Sequence, residues 1–108
     1  MTRGDIFRVR RPPGNDPKRS RCFAVVSRQA LIDSNAARVV CAPVNATFVG
    51  LATQVAVGIE DGLKHSSCIN CDQLMTMDKV LLTDFVGRLS ARKQRELRSA
   101  LRVALDVE

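Results

Sequence analysis

Tryptophan and tyrosine are absent, and four phenylalanines are the only large aromatics. The core must be built from Val, Leu, Ile and Ala, and the aromatic sheet on which RNA-recognition modules stack bases is excluded as an organising feature. Histidine occurs once. His65 lies between Gly62-Leu63-Lys64 and Ser66-Ser67, which reads as a turn and places it in an exposed loop rather than in a catalytic or metal-binding set. No apolar run approaches the ~20 residues of a membrane helix. No apolar stretch follows the charged start Met1-Thr2-Arg3-Gly4-Asp5, so a cytoplasmic protein with no membrane partner is expected. Also missing are a Walker- or Rossmann-type glycine loop, H-E-x-x-H, G-x-S-x-G and any Ser/His/Asp set. Cys68-Ile69-Asn70-Cys71 has zinc-like spacing. No second C-x-x-C or histidine pair completes it, and the segment reads as a strand whose residues three apart face opposite ways. Cys22, Cys41, Cys68 and Cys71 are therefore expected to be small buried thiols, and no metal or cofactor is expected.

Acidic side chains are scarce in the first third. Residues 1–38 carry nine basic side chains against three acidic ones, whereas residues 39–108 are balanced at eight each. The whole net charge of +6 thus sits at the N-terminal end. Such a patch is the footprint of a polyanion or an acidic protein partner, although a merely solvated face would look the same. With 108 residues the chain is expected to form one domain, 1–108.

The pattern along the chain is strand-rich. Ile6, Phe7 and Val9 mark a first strand with Arg8 and Arg10 alternating outward. Pro12-Pro13-Gly14-Asn15-Asp16-Pro17 admits neither helix nor strand and predicts a long loop. Residues 21–27 predict strand two, and 29–33 a helical turn. Arg38 to Val44 predicts a central strand three that ends near Pro43, which has no amide to donate. Phe48 to Leu51 predicts an exposed, rather apolar loop. Thr53 to Val57 is strand four, Ser67 to Gln73 strand five, and Leu74 to Lys79 its continuation or a bend away. Leu81 to Asp84 is a short helical or loop piece, and Phe85 to Leu89 a last strand. Ser90 is a helix N-cap. Behind it Leu97, Ala100, Leu101, Ala104 and Leu105 form an apolar stripe, with Arg92, Lys93, Arg95, Arg98 and Arg102 off it. Strands first and one long helix last predict a β-rich α+β domain, mostly antiparallel.

The available chemistry centres on arginine. Arg21 stands where a basic loop, with Arg10, Arg11, Lys18 and Arg19, meets a buried strand. Asn45 and Thr47 follow strand three, and Asp72 and Gln73 end strand five. If these ends converge, they offer a guanidinium, an amide, a hydroxyl and a carboxylate. That set suffices for phosphoryl transfer with an internal nucleophile, such as the 2′-OH of RNA. Arginine suits the charge-stabilising role because its fork matches phosphate oxygens and it does not deprotonate.

The ordered motifs resemble the MazF/PemK family of toxin endoribonucleases over nearly the whole chain. Arg3-Gly4-Asp5-Ile6-Phe7-Arg8-Val9 resembles the family's opening strand, Arg21-Cys22-Phe23-Ala24-Val25-Val26-Ser27 its R-P-A-V-V-[VL]-S strand, and Val40-Cys41-Ala42-Pro43-Val44-Asn45 its V-x-V-P-[LV]-[TS] strand. Cys71-Asp72-Gln73-Leu74-Met75-Thr76-Met77-Asp78-Lys79 resembles C-D-Q-[IL]-R-T-[IV]-D-K, and Gly87-Arg88-Leu89-Ser90 introduces the similar C-terminal helix. The resemblance implies an SH3-like small barrel with a long C-terminal helix, as in MazF, PemK and CcdB, and a homodimer. It implies metal-independent, sequence-specific cleavage of single-stranded RNA to a 2′,3′-cyclic phosphate and a 5′-hydroxyl. It also implies a cognate antitoxin with an acidic C-terminal tail. Arg21 matches the family's catalytic arginine, Asp72 a position with acid/base or RNA contacts, and the 11–20 loop the cover of the RNA groove. Three positions depart from the pattern: Asn45 replaces Ser/Thr, Cys22 replaces Pro and Met75 replaces Arg. Asn cannot act as a general base, and Thr47 is the nearby hydroxyl. A gyrase poison of the CcdB kind, or a non-catalytic SH3-like binding module, would share the fold. The former would put its determinants on the C-terminal helix rather than at Arg21.

Overall fold

The computed structural model describes residues 1–10, 12 and 20–108. Its elements are β1 (Asp5–Arg10), β2 (Ser20–Val25), the short helix α1 (Gln29–Ile32), β3 (Arg38–Asn45), β4 (Gln54–Val57), β5 (Ser67–Asn70), β6 (Met75–Asp78), β7 (Asp84–Arg88) and α2 (Ala91–Leu105). Single 3₁₀ turns occupy Ile59–Asp61, Cys71–Gln73 and Lys79–Leu81. The strand pairs are antiparallel and run in the order β4-β5-β3-β2-β1-β7, with β6 also on β3. The result is the expected small barrel in open form, a curled half-barrel carrying a C-terminal helix. Of the predicted 12–17 loop only Pro12 falls inside the described residues, and Arg11, Lys18 and Arg19 lie outside them.

The central strands read as unbroken apolar runs because both of their faces are buried. Alternate residues serve two cores. Ile6, Ala24, Val26, Ala42 and Ile69 pack with Leu97 and Ala100 of α2. Phe7, Val9, Phe23, Val25, Val39 and Cys41 pack on the other side with Ile32 and Leu82. The opening Arg3-Gly4-Asp5 is structural. Arg3 Nε donates to the Val26 carbonyl at 3.0 Å, and the buried Asp5 carboxylate accepts from Thr2 N at 2.8 Å and Arg88 Nε at 2.7 Å. Gly4 has φ +91°, and a Cβ there would sit 2.1 Å from the Gln94 amide nitrogen.

Strand three does not end at Pro43. It runs to Asn45, with Pro43 opposite Phe23. The reason lies on its other side, where β3 changes partner. Cys41 pairs with Met75 of β6, and Val44 with Ile69 of β5. Three steps along β3 therefore match six along the partner, and the turn at Cys71–Gln73 takes up the surplus. Val26 N donates to the Val40 carbonyl, so the even-numbered residues of β3 point their backbone groups at β2 and the odd ones point away. Pro43 points away, into the gap that the turn opens, where no amide is needed. The same turn corrects strand five, which stops at Asn70 rather than Gln73, and makes β6 a separate strand.

Helix α2 starts as expected, with Ser90 Oγ accepting from Lys93 N at 3.2 Å. Two expectations for its faces fail. Leu105 is exposed, although Leu101 and Ala104 beside it still pack against the core. Lys93 is buried: its ammonium reaches Asp61 Oδ2 at 2.5 Å and Glu60 Oε1 at 2.7 Å. These carboxylates outweigh the cost of burial and raise the Lys93 pKa. Asp61 Oδ2 also accepts from Gly58 N at 2.9 Å, so one carboxylate fastens helix and turn together.

Candidate active site

Arg21 faces Val9 on β1. The β2–β3 register pairs Phe23 with Pro43, and continuing it by two residues sets Arg21 opposite Asn45. Asn45 in turn pairs with Cys68, and Cys68 with Ala56. Cross-strand partners share a face, so Val9, Arg21, Asn45, Cys68 and Ala56 form one row across five strands, on the face opposite α2.

Within that row Arg21 Nη1 donates to Asn45 Oδ1 at 2.7 Å. Asn45 Nδ2 donates to Gln73 Oε1 at 3.3 Å. Because both ends of the Asn45 amide are engaged, the guanidinium is held from the strand side. Asp72, exposed in the turn between β5 and β6, accepts from Thr53 Oγ1 at 2.6 Å, and its backbone N donates to Asn70 Oδ1 at 2.9 Å. Thr47 is tied by its carbonyl, which accepts from Cys68 Sγ at 3.2 Å and Gln54 Nε2 at 3.5 Å, and its side chain is exposed.

The structure thus joins Arg21, Asn45 and Gln73 directly and places Asp72 next to Gln73 on the same turn. It does not join Arg10 to them. Arg10 is exposed at the end of β1, opposite Ser20, and lines a neighbouring depression with Arg8, Val80, Leu81 and Asp84. Arg8, by contrast, lines a cleft together with Arg21. This cleft, of about 250 Å³, is also lined by Cys22, Lys64, His65 and Ser67. His65 is exposed, as the turn reading expected. Lys64 and His65 give no sequence signal for the site, since only the β4–β5 connection brings them beside β2. Arg8 did carry one, in its outward alternation.

The cysteines lie near the site without ionising. Burial pushes the thiols of Cys41 and Cys71 up to about 12 and about 11, and raises that of Cys68. Half-burial raises Cys22 as well, with Arg8 beside it pulling partly back. Cys68 sits in the Arg21 row and Cys71 in the α2-side core, so the C-x-x-C pair does not converge on one point. Among the described residues no group of three or more His, Cys, Asp or Glu could hold a metal ion, and no helix is long and apolar enough to cross a membrane.

A curled half-barrel with a helix behind the sheet is the fold of the small toxins of toxin-antitoxin systems. Residues 2–105 match the family described as PemK-like, MazF-like toxin of type II toxin-antitoxin system, and the chain belongs to that family. It is an endoribonuclease toxin. Over 90 residues it is 29% identical to endoribonuclease MazF3 of Mycobacterium tuberculosis, covering 83% of this chain and 86% of that one. The solved structure of Mycobacterium tuberculosis toxin MazF-mt6 superposes with a TM-score of 0.81 at 26% identity, covering 96% of this chain and 98% of that one. A mycobacterial endoribonuclease in complex with its cognate antitoxin gives 0.82 at 26% identity, covering 100% and 97%.

Proposed function

We propose that this toxin cuts single-stranded RNA at a short sequence motif, without a metal ion. The 2′-oxygen beside the scissile phosphate attacks phosphorus, the bond to the 5′-oxygen breaks, and the proton released at the 2′-position is made good at the departing 5′-oxygen. The products carry a 2′,3′-cyclic phosphate and a 5′-hydroxyl. Arg21 stabilises the charge that builds on the phosphorane oxygens. Asn45 keeps the guanidinium fork aimed and, with Thr47, orients the 2′-OH. Asp72, the one carboxylate among the proposed site residues, takes the proton. Gln73 braces Asn45 and contacts the substrate. Arg10, Arg11, Lys18 and Arg19 add sequence-independent attraction for the backbone.

The observation that carries this reading is the Arg21–Asn45 hydrogen bond, because it pre-orients the only cation of the row toward a phosphate. The toxin acts in the cytoplasm as a homodimer. A cognate antitoxin inhibits it by laying an acidic C-terminal tail along the same basic edge. Purified protein incubated with a long RNA in EDTA should cut at one motif, and Arg21→Ala should lower the rate by about 100-fold or more. RNA that stays intact across varied sequences would refute the proposal.

A further inference from the structure

The loop between β3 and β4 is not slack. The Gln54 side chain ties it at three points: Oε1 accepts from Val49 N at 3.1 Å and Leu51 N at 3.3 Å, and Nε2 donates to the Thr47 carbonyl at 3.5 Å. Cys68 Sγ holds the same Thr47 carbonyl from below. What this fastened loop presents is Phe48, which is 50% exposed. Of the four phenylalanines, Phe7 and Phe23 are buried in the core, and Phe85, though exposed, lies on β7 against Phe7, so Phe48 is the exposed ring that borders the Arg21 cleft's neighbouring depression.

Phe48 borders a depression of about 470 Å³, with Ala56, Gly58, Glu60, Ser66 and Ser67. Ala46 and Ser67 line both this depression and the cleft that contains Arg21, so the two meet there. A strand of RNA gripped at Arg21 can therefore set its neighbouring nucleotide against Phe48. Every base has an apolar face that stacks on an aromatic ring, and an unpaired one is free to do so. The polar lining suits a base edge. Ser66 and Ser67 bring hydroxyls. Glu60 Oε1 is held by Lys93, while Oε2 lies over Gly58, 3.2 Å from where a Cβ would be. That oxygen can only accept; adenine, cytosine and guanine reach it with an exocyclic amino group, whereas uracil offers only its ring N3–H, flanked by two carbonyl oxygens that a carboxylate repels.

We propose that Phe48 and this depression form a nucleobase subsite that stacks one nucleotide next to the scissile phosphate and, through Glu60, selects against uracil. The proposal rests on the ribonuclease reading. Its tests use the motif found with the wild-type protein, and the binding arm also uses a mixed-sequence single-stranded oligoribonucleotide that needs no cleavage. Phe48→Ala should lower kcat/KM by roughly 10- to 100-fold, and Phe48→Tyr should retain most of it. An abasic nucleotide at the stacked position should cause a similar loss in wild type and almost none further in Phe48→Ala. Glu60→Gln should admit uracil at that position. If wild type cuts while Phe48→Ala cuts equally well, or the two losses simply add, the subsite is refuted and the ribonuclease reading stands. If wild type leaves RNA intact, that reading fails, and oligoribonucleotide affinity decides the subsite: a roughly tenfold loss in Phe48→Ala supports it, and unchanged affinity overturns it. Because Phe48 is exposed, the thermal midpoints of Phe48→Ala and Phe48→Tyr should match wild type.

Discussion

Arg21 and Asn45 face each other across two neighbouring strands, and the asparagine carbonyl takes a guanidinium proton at 2.7 Å. The family's hydroxyl residue is replaced here by an amide whose two ends are both engaged, one by Arg21 and the other by Gln73. On the proposed mechanism the amide positions the arginine, since an amide has no proton-accepting group of carboxylate or imidazole kind.

This ranks the two neighbours. Asn45→Ala should lower the cleavage rate by roughly 10- to 100-fold, because an unaimed guanidinium loses part of its preorganised stabilisation. Thr47→Val should cost less, since Thr47 is held through its carbonyl, which the substitution keeps. Single-turnover cleavage of one defined RNA by both variants checks the order, and a greater loss in Thr47→Val would give the hydroxyl the larger part and overturn the ranking.

Lys93 is the buried fastening of the C-terminal helix. Lys93→Met should destabilise the fold by about 3–5 kcal/mol in denaturant unfolding, because it leaves the Asp61 carboxylate buried without its cation. Adding Asp61→Asn should recover part of the loss, since a neutral amide can still accept from Gly58 N. The pH dependence follows from the raised Lys93 pKa. A lysine with a higher pKa folded than unfolded contributes its full stabilisation below the ordinary 10.5, and that contribution disappears as pH rises through the folded value. The thermal midpoint of wild type should therefore fall in alkaline solution above that point, and the Lys93→Met midpoint should show a smaller fall there.

Gly87 marks the point where β7 touches the Ile59–Asp61 turn backbone to backbone. A Cβ at Gly87 would lie 1.9 Å from the Asp61 carbonyl oxygen, and one at Gly62, which has φ +94°, would lie 2.2 Å from the Val86 oxygen. Main chain cannot swing aside as a side chain can. Gly87→Ala should cost about 1–3 kcal/mol or more of unfolding free energy, whereas alanine at Gly50, with open space around it, should cost less despite its positive φ. Equal midpoints for the two variants would contradict the close approach.

The strands and the final helix were legible because their chemistry is local: apolar alternation, a serine cap and a proline-rich break each act within a few residues. Arg21 was legible for the same reason, as a cation at the junction of a polar and an apolar run. Lys93 was not, because only the fold brings Asp61 and Glu60 against it, and on the helix alone it is one more basic residue beside Arg92 and Arg95. Pro43 misled because a missing donor ends a strand only where a partner waits for it. Phe48 was visible as an oddly apolar loop residue, but its rigidity comes from Gln54, whose side chain has no periodicity to betray it.

The turn at Cys71–Gln73 lets three residues leave the ladder without shifting the register on either side. Cys71 turns inward and is packed in the core, while Asp72 and Gln73 hang outside it. Neither outer side chain fills a cavity or completes a strand. Their side chains bond only at the surface, Asp72 to Thr53 and Gln73 to Asn45, so the buried framework does not depend on them. If Asp72 and Gln73 act on RNA as proposed, substitutions at these two positions should change cleavage while the fold around them stays in place.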